Sequence, residues 1–389
     1  MAITAPLSGS RGTAKASATL ESGETTLRLV GAALITLATA VFIVGAAWDI
    51  QWHPSVGRDR ALTSPHIVLL SGIALSGLLS LVLVLLDSWR AWRGHGVGEN
   101  NSTAILGVFR APIGLFASGV GALTATLAFP LDDYWHTLYG IDVTLWAPFH
   151  VMIISGMVLV GVGALYTIAA ELNRLPNGRA KTVAQIIFAA ALAMTLAALL
   201  LFLPQANGRE GLGQIGSYQF AIYPLLVAFA LPLALVSAPR IVKFSGATTL
   251  MALVFLALQL ILYQIIPPLM RISVVAEGLA YRASAPSVTI TPNGYPQALF
   301  AAALAIDAAL WLARRAGWAS DRVLLGMATL VSVVVTLWDR PWATYITHFY
   351  FGIDTGTLLI NALPLATLAA LLGAGAGVLF SRSLEATRQ

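Results

Sequence analysis

From Leu29 to Trp48 the chain runs twenty residues without an ionisable side chain. As a helix, such a run is long enough to cross the hydrocarbon of a bilayer and apolar enough to stay there. It is the first of ten apolar runs, at about 28–48, 65–86, 109–130, 147–170, 183–203, 218–237, 247–266, 296–313, 322–338 and 358–380. The expected fold class is therefore all-α, a polytopic membrane helix bundle of about ten transmembrane helices. Composition agrees. Hydrophobic residues make up 58% of the 389 and charged residues 10%, against roughly 25% charge in a soluble domain.

Charge placement sets the expected orientation. With the N-terminus inside, sixteen of the 22 Lys and Arg fall on the inner side and six on the outer. The positive-inside rule then predicts cytoplasmic N- and C-termini in a plasma (inner) membrane. The net charge of +5 comes mostly from these short connections and does not indicate nucleic acid. Residues 1–25 are polar and small and read as a disordered cytoplasmic tail. Residues 26–175 form a four-helix unit, and residues 176–389 a six-helix unit. The segment from about 267 to 295, with Pro267-Pro268, Arg271, Glu277 and Arg282, reads as the longest outer loop, either a folded cap without chemistry or a functional or contact surface.

Four of the six histidines fall in two stretches. In the first, Asp49 precedes His53 by four residues, and His66 follows after Pro65. In the second, Asp132 precedes His136 by four, and His150 follows after Pro148. Residues four apart share one helix face, so each stretch offers a carboxylate and an imidazole together. The third donor comes from the start of the next helix, where proline suits the first turn. The helix N-terminus disfavours a protonated imidazole and so favours its ligating form. Each stretch is thus a candidate metal triad at the outer membrane edge, where ionisable residues mark function by default. Imidazole and carboxylate suit copper, zinc, iron or manganese. With no cysteine in the chain, thiolate sites, iron–sulfur clusters and disulfides are excluded.

Other residues carry less. Trp48, Trp52, Trp135 and Trp146 flank the motifs as an expected interfacial belt. Asp87, Glu171 and Asp321 are read as solvated charges at helix ends, and His95 as a solvated loop histidine. Asp307 lies in an apolar run without a nameable partner. Gln259 and Tyr263 read as core packing. A weaker third echo places His348 before Asp354, with Thr344 and Asn361 where ligands stand in the other two. Its expected metal affinity is low, although Asp339 is near in sequence.

The paired motifs resemble the C subunit of the particulate methane and ammonia monooxygenases. Asp49-x3-His53-x12-His66, with Arg58-Asp59 and Thr63 between the histidines, is similar to one copper site of that family. Asp132-x3-His136-Thr137 followed by Ala147-Pro148-Phe149-His150 is similar to its neighbour, where the family has Asn in place of Asp132. The resemblance covers residues 28–172. It implies copper, with zinc able to stand in its place, held by Asp49, His53 and His66 and by Asp132, His136 and His150. It implies dioxygen-dependent oxidation of a small apolar substrate, ammonia or a short hydrocarbon, with electrons from quinol. It also implies partner subunits, or a homo-oligomer, in the bilayer. Two other classes compete: a membrane copper transport or assembly protein, which wants ligands staged across the membrane, and a bis-His haem protein, which has no role for either Asp. A scaffold subunit without chemistry is the remaining reading.

Overall fold

The computed structural model describes residues 10–57, 62–94, 102–140, 147–203, 212–283, 295–296, 298–338 and 355–387. Among them are ten α-helices: α1 (Ser10–Ser55), α2 (Ser64–Trp92), α3 (Ile113–Tyr139), α4 (Pro148–Arg174), α5 (Arg179–Leu199), α6 (Tyr223–Ile241), α7 (Ala247–Ala276), α8 (Leu299–Arg315), α9 (Ser320–Trp338) and α10 (Thr355–Ala386). Each overlaps one of the ten expected runs. Eight contain segments long and apolar enough to cross a membrane; α8 and α9 fall outside that set. The described residues also hold two short antiparallel hairpins, β1 (Thr103–Ile105) with β2 (Phe109–Ala111), and β3 (Leu212–Ile215) with β4 (Tyr218–Ala221). The chain is thus an all-α, multi-pass membrane helix bundle.

Helix α1 is central, packing against α2, α4, α5 and α7. Small residues let the sequential pairs approach to backbone contact. A Cβ on Gly45 would overlap Leu69 in α2, and one on Gly72 would overlap Phe42 in α1. In the next pair, a Cβ on Gly121 would overlap the Gly156 carbonyl, and one on Gly163 the Gly114 carbonyl. In lipid, where apolar burial gives no drive, such close packing is what holds helices together. One continuous buried core runs through both the four-helix and the six-helix portions.

Ionisable residues lie in two layers at the ends of this bundle. The same interval, 21 residues, separates Arg28 from Asp49, His66 from Asp87, and His150 from Glu171. At 1.5 Å per residue that is about 32 Å, close to the hydrocarbon thickness of about 30 Å. Helices α1, α2 and α4 therefore each carry a polar group at both faces of the apolar slab. At one face stand the His/Asp motifs.

At the other face the structure corrects two expectations. Asp87 and Glu171 are not solvated: both are buried, as is Arg28. Arg28 donates to Glu24 at 2.9 Å, Asp87 at 2.9 Å and Glu171 at 3.1 Å, tying α1, α2 and α4 together. Thr25 donates to Glu171 at 2.7 Å. Glu24 and Thr25, which the sequence places in a disordered tail, are therefore buried partners in a helix that reaches back to Ser10. A buried guanidinium needs its carboxylates, and this requirement extends the ordered structure beyond the apolar run.

Elsewhere in the bundle some expectations change and others stand. Trp48 and Trp52 are buried in the core and do not form an interfacial belt; Trp135 is half-buried against Tyr139 and Phe149. Helix α7 continues through Pro267-Pro268 to Ala276, ten residues past its expected end. Asp307 has a partner after all, accepting from the backbone N–H and hydroxyl of Thr249 at 2.7 Å each. Gln259 donates to the Tyr263 hydroxyl at 3.1 Å, and Asp321 is exposed and paired with Arg240 at 2.9 Å. Asn361 donates to the Gln219 carbonyl at 2.8 Å, so its amide serves the β4 hairpin. Arg58, Asp59, His95, Trp146, Asp339, Thr344, His348 and Asp354 lie outside the described residues.

Candidate metal centre

Asp49 and His53 occupy the last turns of α1, and His66 the first turn of α2. Thr63 caps α2 from an extended conformation, its hydroxyl accepting from the His66 N–H at 3.4 Å, and Pro65 sits in the first turn. This cap fixes where His66 enters. Asp49 then lies between the two imidazoles, with Oδ2 3.3 Å from His53 Nε2 and Oδ1 3.2 Å from His66 Nε2.

The second group repeats the arrangement one helix pair later. Helix α3 continues through Pro130 to Tyr139, which puts Asp132 and His136 on its last turns. Pro148 opens α4 and His150 follows in its first turn. Asp132 Oδ2 lies 3.4 Å from His136 Nε2 and 3.1 Å from His150 Nε2. His136 Nδ1 is 3.3 Å from the carbonyl of Gly140, the left-handed residue that ends α3. That carbonyl can accept a hydrogen bond from Nδ1 while Nε2 faces Asp132, the orienting contact metal-binding histidines commonly make.

These separations suit a metal site as well as an ion pair. A charge-assisted N–H···O bond closes to about 2.7–2.9 Å. Metal bonds of about 2.0–2.1 Å at tetrahedral angles place neighbouring donors about 3.3 Å apart. The four observed separations, 3.1 to 3.4 Å, lie around the donor spacing of a metal site. In each group the three donor atoms lie within 4.8 Å of one another. One carboxylate and two imidazoles leave a divalent ion with a net positive charge and unfilled coordination positions. The donor sets therefore fit a metal. All six residues singled out by sequence are brought together in two threes as expected.

The two groups share one cavity. Asp49, His53, His66, Asp132 and His150 line it, and apolar side chains supply the remaining wall, among them Phe42, Leu69, Phe129 and Ile153. Phe129, one turn before Asp132 and Asp133 on α3, also meets the His66 ring edge-on at 5.6 Å, joining the second helix pair to the first site. The chain matches no protein-family model, no curated protein and no solved structure.

Sequence reasoning missed three contributors. Leu201 reaches the cavity from a 3-10 turn, Leu200–Phe202, that ends α5. There Tyr295 donates to the Ala197 carbonyl at 2.8 Å, and burial pushes the Tyr295 hydroxyl's pKa up, which keeps it a donor. The other two are Glu277 and Arg282, which reach the α1–α2 turn from the end of α7. No spacing rule links residues so far apart in the chain; only their place in the expected outer loop marked them.

Proposed function

We propose that this protein is a copper-dependent membrane monooxygenase, or the metal-bearing subunit of one. It oxidises a small apolar substrate, ammonia or a short hydrocarbon, with dioxygen on the extracytoplasmic side of the plasma membrane. The observation that carries the reading is the shared cavity: residues of both three-donor groups line one largely apolar space at one end of the bundle. Copper, when bound, supplies the dioxygen chemistry and the coordination position at which it is done.

The residues have separable tasks. Asp49, His53 and His66 would hold one ion, and Asp132, His136 and His150 the other. The two Asp side chains offset metal charge in a setting poor in water, where a lone cation is costly. Phe42, Leu69, Phe129, Ile153 and Leu201 exclude water and favour an apolar molecule between the sites. Electrons come from quinol through partner subunits or a second copy in the bilayer.

Among the described residues both donor groups lie at one end of the bundle, which disfavours a transporter with ligands staged across the membrane. The opposite face holds Arg28 and its carboxylates, already paired. A bis-His haem needs a flat macrocycle between its imidazoles, but here an aspartate stands there in each group.

The test is oxygen-18 incorporation. Copper-supplied membranes expressing the full chain with its partners, given quinol, labelled dioxygen and ammonia or a short alkane, should yield labelled product. His53→Ala and His150→Ala should not. Copper uptake into sealed vesicles without labelled product would support the transport reading instead.

A further inference from the structure

The α1–α2 turn that carries the first metal group is held from outside by the end of α7. That helix stops at a tight turn. Gly278 takes a left-handed φ of 62°, the Gly278 N–H bonds the Val275 carbonyl at 3.1 Å, and the Leu279 N–H bonds the Val274 carbonyl at 2.9 Å. This double-bonded glycine stop is a rigid way to end a helix, and it fixes Glu277 and the chain leading to Arg282. Glu277 Oε1 accepts from the Ser64 hydroxyl at 2.6 Å and from the Ser64 N–H at 3.3 Å. Ser64 opens α2, two residues before His66, so Glu277 holds the N-terminal end of the ligand helix, where a carboxylate is favoured.

Arg282 holds the other side. Its N–H donates to the Ser55 carbonyl at 2.9 Å and its guanidinium to the Gly57 carbonyl at 3.2 Å. Ser55 ends α1, two residues after His53. Gly57 has a left-handed φ of 66°, and a Cβ there would overlap the Arg282 guanidinium. The residue is thus glycine for two reasons, the turn and the room the arginine takes. Between them, Glu277 and Arg282 grip both ends of the turn joining His53 to His66.

We propose that Glu277 and Arg282 are positioning residues of the first metal site, setting the separation of His53 from His66 and giving the six-helix portion control over metal affinity there. The proposal rests on the metal reading above. Neither side chain touches the ligand atoms in the structure; both act through the backbone that carries them. Partners hydrogen-bonded to metal ligands change affinity by about 10–100-fold when removed, and the same range is expected for groups that hold the backbone carrying those ligands.

The test uses the full chain in nanodiscs, with copper(II) as probe, in two backgrounds. One carries His136→Ala with His150→Ala, leaving the first site; the other carries His53→Ala with His66→Ala, leaving the second. Adding Glu277→Ala with Arg282→Ala should weaken copper about 10–100-fold in the first background and shift its paramagnetic resonance parameters. It should leave the second unchanged, with equal helix content and melting in both. Gly57→Ala should reproduce the loss, and Glu277→Gln, which keeps an oxygen acceptor for Ser64, should restore affinity. Equal loss in both backgrounds, or none in the first, overturns the positioning role. A first-site background that takes up no copper with Glu277 and Arg282 intact overturns the metal reading itself, and this inference with it.

Discussion

Asp132 Oδ2 lies 3.1 Å from His150 Nε2, across the seam between α3 and α4. The same oxygen serves His136 at 3.4 Å, while Oδ1 is buried without a hydrogen-bond partner. Asp49 is used differently, with Oδ1 toward His66 and Oδ2 toward His53. An amide in place of each carboxylate should therefore act unequally. In Asp132→Asn the amide oxygen can take the Oδ2 position and the NH2 the unused one. Copper at the second site should weaken by about tenfold, or ~1.4 kcal/mol, yet still bind. In Asp49→Asn an NH2 must face one imidazole Nε2 and compete for its lone pair, so the first site should fail. Copper titration of each variant in the matching single-site background checks this.

The second site depends on how closely α3 meets α4. Gly163→Val places a branched side chain against the Gly114 carbonyl and the Ser118 hydroxyl. Overpacking at a backbone contact costs about 1–3 kcal/mol or more. Prising the two helices apart should also separate Asp132 and His136 from His150. The expected outcome is loss of copper from the second site with the first retained, measured by metal content in the two backgrounds.

Arg28 compensates three carboxylates on the face about 32 Å from the metal groups. Arg28→Met leaves Glu24, Asp87 and Glu171 buried without it, and breaking a buried ionic network in this way costs about 3–5 kcal/mol. Denaturant unfolding in mixed micelles should show that loss. Adding Asp87→Leu and Glu171→Leu to Arg28→Met should recover part of it, since these apolar replacements remove two of the three buried carboxylates. Copper affinity of the folded fraction should not change.

The eight long apolar helices were legible because a membrane span is defined locally, by twenty or so apolar residues in a row. The grouping of the six Asp and His residues was legible because Asp49 with His53, and Asp132 with His136, lie four apart on one face, with His66 and His150 behind a proline. What the sequence hid was long-range pairing. Asp87 and Glu171 look solvated at helix ends, but Arg28 from α1 recruits both. Trp48 and Trp52 look like belt residues, but α1 is central and buries them. Pro267-Pro268 looks like a stop, but α7 runs through it to Ala276, and this brings Glu277 and Arg282 to the first site.

Metal stoichiometry, read with paramagnetic resonance, tests the central claim most directly. Full-length protein purified from copper-supplied membranes should carry two ions per chain, one for each donor group, with nitrogen couplings from imidazole. His66→Ala and His136→Ala should each hold one ion, and the double variant none, with helix content unchanged throughout. Wild-type protein without bound metal, or a double variant that keeps its full complement, would contradict the account.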